Sequence, residues 1–161
     1  MSFELPELDR KATQKAVEEA LSKYRLYKYL SFEERETSII ANYEVSEGGK
    51  GNKISDQTSS AAIYNVDQQK FRKQFCERIE KAVNRLPKME RFLIEERYLT
   101  IESDYITDYN VYSFKFNPPI TAKTYAKIRW RAFYRLALNL NLAVIKQSEN
   151  EYKCDNGGEE R

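Results

Sequence analysis

Residues 120–144, ITAKTYAKIRWRAFYRLALNLNLAV, constrain the fold of this chain most, because they predict one amphipathic helix. Apolar residues recur there every three or four positions, which places them on one face of a helix with about 3.6 residues per turn. Thr121 can cap the first turn by accepting a hydrogen bond from a backbone N–H, and Ile120 stands where a hydrophobic staple would stand. The face expected to be buried comprises Tyr125, Ile128, Ala132, Leu136 and Leu140.

Positive charge is concentrated around the same segment. Residues 109–148 contain seven Lys or Arg residues and no Asp or Glu, although the whole chain has a net charge of only +2. A helix that is merely solvated usually carries both signs of charge, so this segregation favours a local nucleic-acid contact over a bland polar surface. Four of the cations follow one another at steps of four: Lys123, Lys127, Arg131 and Arg135.

The composition argues against an enzyme. The 161 residues can bury one core, but they include no histidine and only two cysteines, Cys76 and Cys154, which lie far apart. Without histidine the commonest general base is missing, as are Ser-His and Cys-His nucleophile pairs. Without a Cys-x-x-Cys pair a structural zinc is not expected either. We therefore expect no catalytic, metal or cofactor site, and we expect Cys76 to be a small core residue.

No apolar run is long enough to span a membrane, and no charged-then-apolar leader precedes the first helix. We therefore expect a cytoplasmic protein without a membrane partner. Six glutamates on polar faces have Arg nearby in sequence, which indicates solvated ion pairs rather than catalytic carboxylates. These glutamates are Glu33, Glu34, Glu36, Glu90, Glu95 and Glu96.

Helical periodicity covers most of the remaining chain, so an all-α fold is predicted. One helix is expected from Asp9, its cap, to Leu30, and a short second helix after it, because residues 31–34, SFEE, have the form of a capping box. Further helices are expected from residue 67, or as early as residue 56, to residue 86, and over residues 88–99.

Four regions follow from this pattern. They are an N-terminal helical segment over residues 1–45, a flexible Gly-containing loop over 46–60, a DNA-binding domain over 61–147 and a disordered tail over 148–161. The loop contains SEGGKGNK, in which no Gly-Lys is followed by Ser or Thr, so the mechanism of a Walker-type phosphate-binding loop is missing.

Residues 104–116, DYITDYNVYSFKF, give conflicting signals. Their β-branched and aromatic side chains favour a strand. However, they lie between two predicted helices and end at a rigid turn, Asn117-Pro118-Pro119. If the chain forms a helix-turn-helix, this stretch must be the first, supporting helix, so both interpretations are kept.

Two parts of the chain together resemble region 4 of sigma-70-type transcription initiation factors. Residues 86–91, LPKMER, followed by Arg97-Tyr98, are similar to the start of that region, and residues 121–136 are similar to its recognition helix. The chain departs from the sigma pattern in the turn at residues 116–119, which lacks the usual glycine, in the absent Glu-Ile-Ala of the supporting helix, and at Glu96, where sigma factors usually have Leu.

A closer likeness, over most of the chain, is to the ArpU family of phage- or prophage-encoded regulators of late genes. The motifs that carry it are Lys11-x-Thr13 with Tyr24-Arg25, the helices from Phe75 to Arg97, Asp108-x-x-Val111-Tyr112, and Thr124-Tyr125 with Ala132-Phe133-Tyr134-Arg135-Leu136-Ala137. The resemblance implies a sigma-region-4-like helix-turn-helix and sequence-specific binding of double-stranded DNA. It also implies activation of late lysis or structural genes with bacterial RNA polymerase, in the cytoplasm of the bacterial host.

In this interpretation the 120–144 helix enters the major groove with its N-terminal turns nearest the bases. Trp130 is equally compatible with the groove and with the core, whereas Arg129 lies near the buried arc and is expected to pair inside the fold. Arg131 and Arg135 are better placed for phosphates than for bases. The expected DNA-binding residues are Thr121, Ala122, Lys123, Thr124, Ala126, Lys127, Trp130, Arg131 and Arg135.

The N-terminal helices are expected to contact RNA polymerase or a second copy of the chain. Two other functions fit the same pattern. One is a DNA-binding packaging protein similar to a small terminase subunit, which also uses a helix-turn-helix. The other is an anti-sigma-like protein that binds polymerase and shows no salt-dependent binding to DNA.

Overall fold

The computed structural model describes residues 7–41 and 56–146, and within these ranges it contains helices and no strand. The five α-helices are α1 (Arg10–Ala41), α2 (Asp56–Asn84), α3 (Lys88–Ile94), α4 (Asp108–Asn110) and α5 (Ala122–Leu140). A π-helical turn, Glu95–Leu99, continues α3 and leads to a 3₁₀ turn, Ile101–Asp104, and a second π-helical turn, Val111–Lys115, continues α4. The all-α prediction is confirmed. None of the described helices is long and apolar enough to cross a bilayer.

Helix α1 begins as predicted and continues further than predicted. The Asp9 carboxylate accepts a hydrogen bond from the Ala12 N–H at 3.0 Å, which makes Asp9 the cap. The predicted break at Ser31 is wrong, because α1 runs on to Ala41. The Ser31 hydroxyl donates to the Tyr27 carbonyl at 2.7 Å, so it bonds back along the helix instead of capping a new one.

The helices share one buried core. Val17 and Leu21 of α1 belong to the same cluster as Phe133 of α5, so the N-terminal helix packs directly with the predicted DNA-binding region. Cys76 is buried in this core, as predicted. The remaining core includes Ile79, Val83, Leu93, Ile94, Val111, Leu136 and Ala137.

Only some of the predicted region boundaries lie within the described residues. The boundary drawn at residue 60 falls inside α2, which begins at Asp56, the earlier of the two predicted starts. The Gly-containing stretch at residues 46–53 and the tail from residue 148, with Cys154, lie outside the described residues. Predictions for those segments stay predictions.

Within the stretch at residues 104–116, residues 108–115 are helical and none forms a strand, so the strand interpretation is wrong. Thr107 caps α4 through a reciprocal pair, since its hydroxyl accepts from the Asn110 N–H at 3.3 Å and the Asn110 side chain accepts from the Thr107 N–H at 3.1 Å. Tertiary context has overridden β-propensity here, because Val111 is fully buried among the helices. The Ile120 N–H donates to the Tyr112 carbonyl at 3.0 Å and closes the turn that leads to α5.

Helix α5 starts as predicted, with the Thr121 hydroxyl accepting from the Thr124 N–H at 3.2 Å. It ends at Leu140, before the predicted residue 144, because Asn141 adopts the left-handed conformation with φ 57°. Asparagine tolerates this conformation better than most residues. The following residues turn back beside α1, where the Asp9 N–H donates to the Val144 carbonyl at 2.8 Å.

Candidate nucleic-acid interface

The N-terminal half of α5 projects from the core. Between residues 121 and 127 only Tyr125 is buried, whereas the second half of the helix is buried at Ala132, Phe133, Leu136, Ala137 and Leu140. Phe133 and Ala137 were missing from the predicted apolar face, yet both are fully buried, and the Phe133 ring packs against the Tyr98 ring at a centroid distance of 5.2 Å. The exposed residues of the first two turns are Thr121, Ala122, Lys123, Thr124, Ala126 and Lys127.

A surface groove runs along the exposed side of α5, and we call it the basic groove. Its lining includes no carboxylate, and among the described residues Lys123, Lys127 and Arg131 form no ion pair. The positive charge of these three exposed side chains is therefore not neutralised within the described part of the chain. The groove is lined by Arg10, Lys123, Ala126, Lys127, Trp130 and Arg131.

Trp130 forms part of the wall of the basic groove and is neither buried in the core nor fully exposed. The Arg10 guanidinium lies over its ring, with 5.0 Å between the guanidinium carbon and the ring centroid. The Tyr134 ring lies next to the Trp130 ring, with 6.3 Å between the two centroids. Sequence reasoning missed Arg10, because nothing in the local pattern of α1 indicates that its first turn packs beside α5.

Asp108 holds α5 against α4 and the turn after α3. Its carboxylate accepts hydrogen bonds from the Arg129 guanidinium at 2.6 Å, from Arg97 Nε at 2.9 Å and from the Tyr125 hydroxyl at 3.0 Å. Burial, with the Asp108 charge and hydrogen bond, raises the pKa of Tyr125, so the phenol stays a hydrogen-bond donor to Asp108 at neutral pH. The prediction that Arg129 pairs inside the fold is confirmed.

Arg135 belongs to the contact between α5 and α3. One of its terminal nitrogens lies 2.7 Å from Glu90 Oε1 and 2.8 Å from Glu90 Oε2. The prediction that Glu90 forms a solvated ion pair is wrong, because Glu90 is buried, with a relative exposure of 6%. Its partner lies 45 positions away, whereas the neighbouring Arg91 pairs with Glu95 in an exposed contact. Arg135 therefore pairs with Glu90 while its side chain stays 51% exposed, and it lines a depression next to the basic groove with Trp130, Arg131 and Tyr134.

Of the other predicted glutamates, those whose side chains are described form ion pairs with neighbouring cations. Glu96 pairs with Lys115 at 3.4 Å, on the surface. Glu33, Glu34 and Glu36 lie where no side chains are described. Within the described residues no group of three or more His, Cys, Asp or Glu is placed to hold a metal ion.

Comparison with known proteins gives one informative likeness. The chain is 26% identical over 144 residues to a protein of Listeria innocua named uncharacterized phage-related protein Lin1259/Lin1739. The match covers 89% of this chain and 97% of that protein, so the two are similar along almost their full lengths. No family model matches the chain, and no solved structure matches it. The chain is therefore a distant homologue of a phage-related protein.

Proposed function

We propose that this protein is a sequence-specific regulator that binds double-stranded DNA and activates late phage genes together with bacterial RNA polymerase. The observation that carries the proposal is the projecting half of α5, where Lys123, Lys127 and Arg131 are exposed and unpaired within the described residues. Charge that the fold does not use for its own stability is available for phosphates and base edges.

The dimensions of the helix suit the major groove. An α-helix with its side chains is about 10–12 Å across, and the groove is about 12 Å wide. With the first turns of α5 innermost, Lys123 and Lys127 can donate to guanine O6 and N7. The methyl groups of Ala122 and Ala126 can contact thymine methyl groups. Arg131, further along the helix, is placed to bind a backbone phosphate.

The order of elements supports the same reading. A short helical segment at residues 108–115, a connection at residues 116–121 and a longer helix with an exposed N-terminal half follow one another in the order of a helix-turn-helix. The likeness to sigma region 4 and to the ArpU family, and the homology to a phage-related protein, favour a regulator encoded by a phage or prophage. Asp108 supports the proposal because it fixes α5 to the short helix before it.

The experiment is selection of the fragments that the full-length protein binds from the genome carrying its gene, at two salt concentrations. We expect enrichment of sites upstream of a lysis or structural operon, and weaker recovery at high salt. Recovery of no fragment at either salt concentration would contradict DNA binding and favour the anti-sigma-like alternative. If the protein forms ring-shaped oligomers and enriches a packaging site, the result would contradict gene activation and favour the packaging alternative.

A further inference from the structure

The first turn of α1 lies beside the basic groove, although it is far from α5 in sequence. Arg10 lines the groove together with Lys127 and Arg131. Lys11 lines an adjoining depression that it shares with Trp130 and Tyr134. The N-terminal helix therefore adds two cations to the surface on which the projecting half of α5 lies.

The segment after α5 holds the first turn of α1 in place beside α5 through hydrogen bonds. The Asp9 N–H donates to the Val144 carbonyl at 2.8 Å, and the Lys146 N–H donates to the Glu7 carbonyl at 3.0 Å. The fully buried Thr13 also accepts from the Val144 N–H, at 3.1 Å from its hydroxyl oxygen. Contacts on both sides of Arg10 thus fix the start of α1 relative to the end of α5.

The carboxylates of Glu7 and Asp9 line the same depression as Lys11, but neither forms an ion pair with Arg10 or Lys11. Asp9 accepts from the Ala12 N–H, and Glu7 binds the Lys146 ammonium at 3.0 Å. Arg10 and Lys11 are exposed, and neither forms an ion pair with a described residue. The Arg10 guanidinium lies over the Trp130 ring and donates no hydrogen bond to a described residue, so its N–H groups are available to other acceptors.

We propose that the first turn of α1 is a second DNA contact, in which Arg10 and Lys11 bind backbone phosphates beside the groove that α5 occupies. This inference rests on the proposed function. A guanidinium with free edges matches the geometry of a phosphate, and phosphate contacts position a protein without reading sequence. The contact therefore strengthens binding to all DNA sequences alike, and it assigns α1 a role other than contact with polymerase or a second protomer.

The test is the salt dependence of DNA binding by the full-length protein, measured by the anisotropy of a labelled duplex. Arg10→Met keeps an unbranched side chain and removes the charge that lies over Trp130. Lys11→Met removes the neighbouring charge and leaves the contact between Arg10 and Trp130 unchanged. For each variant we expect the slope of log affinity against log salt to become shallower by about 0.9, on cognate and random duplexes alike. Arg10→Lys should keep the wild-type slope.

Lys70→Met is the matched control, because Lys70 is exposed on α2 and does not line the basic groove. It should leave the slope unchanged. Thermal unfolding of each variant separates a folding defect from a lost contact, and Lys11→Met decides the matter if Arg10→Met proves unstable. Wild-type slopes for both Arg10→Met and Lys11→Met would overturn the second contact while leaving the proposed function intact. If the wild-type protein shows no salt-dependent binding to DNA, both proposals fail together.

Discussion

Asp108, at the start of α4, accepts a hydrogen bond from the Arg129 guanidinium of α5 at 2.6 Å. The same carboxylate binds Arg97, whose guanidinium also donates to the Ser103 carbonyl at 3.0 Å. One negative charge thus joins the short helix α4, the π-helical turn after α3 and the long helix α5. Tyr125 is the one buried residue in the first two turns of α5, so apolar packing holds these turns weakly. The orientation of the projecting half of α5 therefore depends on the contacts of Asp108.

Replacement of Asp108 by Asn should lower the free energy of unfolding by about 1–3 kcal/mol, because two partly buried guanidinium groups lose their common counter-charge. Urea denaturation measures the effect. Asp104→Asn is the matched control, since Asp104 also pairs with an arginine, Arg25, but its side chain is 77% exposed. Such an exposed pair should cost less than about 1 kcal/mol. Equal losses in the two variants would contradict the role given to Asp108.

Substitution of Arg135 should lower the stability of the fold, whereas substitution of Arg131 should weaken DNA binding. Arg135→Ala leaves the buried carboxylate of Glu90 without its partner, so we expect a loss of about 1–3 kcal/mol in the free energy of unfolding. Arg131→Ala should change stability by no more than about 0.5 kcal/mol, because Arg131 is exposed and unpaired among the described residues. For Arg131→Ala, the slope of log affinity for DNA against log salt should instead become shallower by about 0.9.

The reverse pattern, in which Arg135→Ala folds like the wild type and binds DNA weakly, would restore Arg135 as a phosphate contact. Chemical denaturation and duplex anisotropy on the same two preparations distinguish these results. The sequence places both arginines on one face, and only their partners in the structure separate them.

Lys127→Ala should weaken binding to the cognate site by about 1–3 kcal/mol and relax the preference at one base pair. The reason is that Lys127 lies in the projecting half of α5, where its ammonium can reach a base edge. Competition among duplexes that differ at single positions measures this effect. An equal loss of affinity for every duplex would assign Lys127 to phosphate binding instead.

Tyr98 should make the fold sensitive to alkaline pH. Burial raises its pKa from the ordinary value of 10.0 to about 12. Because the pKa is higher in the folded state, the stabilisation is complete below pH 10 and is lost as the pH rises through about 12. That shift corresponds to roughly 3 kcal/mol.

Tyr98→Phe should therefore make the free energy of unfolding fall less steeply between pH 10.0 and about 12. Burial also raises the pKa of Tyr24 and Tyr125, so part of the alkaline loss should persist in the variant. Tyr105→Phe is the control, because Tyr105 is 90% exposed. A wild-type pH profile for Tyr98→Phe would show that its phenol does not contribute.

Local signals in the sequence predicted local features well. The cap at Thr121, the buried stripe of α5 and the concentration of cations around it all depend on residues a few positions apart. The sequence leaves the helix at residues 108–115 undecided, since β-propensity points to a strand, whereas the Thr107–Asn110 capping pair and the burial of Val111 favour the helix.

Contacts across the chain could not be predicted from such signals. Glu90 looked like a surface residue because its neighbours in sequence are charged, yet its partner Arg135 arrives from α5. Arg10 reaches Trp130 only because the segment after α5 folds back along α1. Sequence periodicity gives the faces of each helix, but not which helix covers which face.

DNA binding by the exposed cations of α5 is measured with two variants of equal net charge. One replaces Lys123, Lys127 and Arg131 by Ala, and the other replaces Lys70, Lys73 and Lys81, which are exposed on α2 and unpaired among the described residues. Affinity for a selected duplex is measured for both at the same salt concentration. We expect the α5 variant to lose about 100-fold or more and the α2 variant to stay within a few-fold of the wild type. Equal losses of affinity in the two variants would contradict DNA binding by the exposed cations of α5.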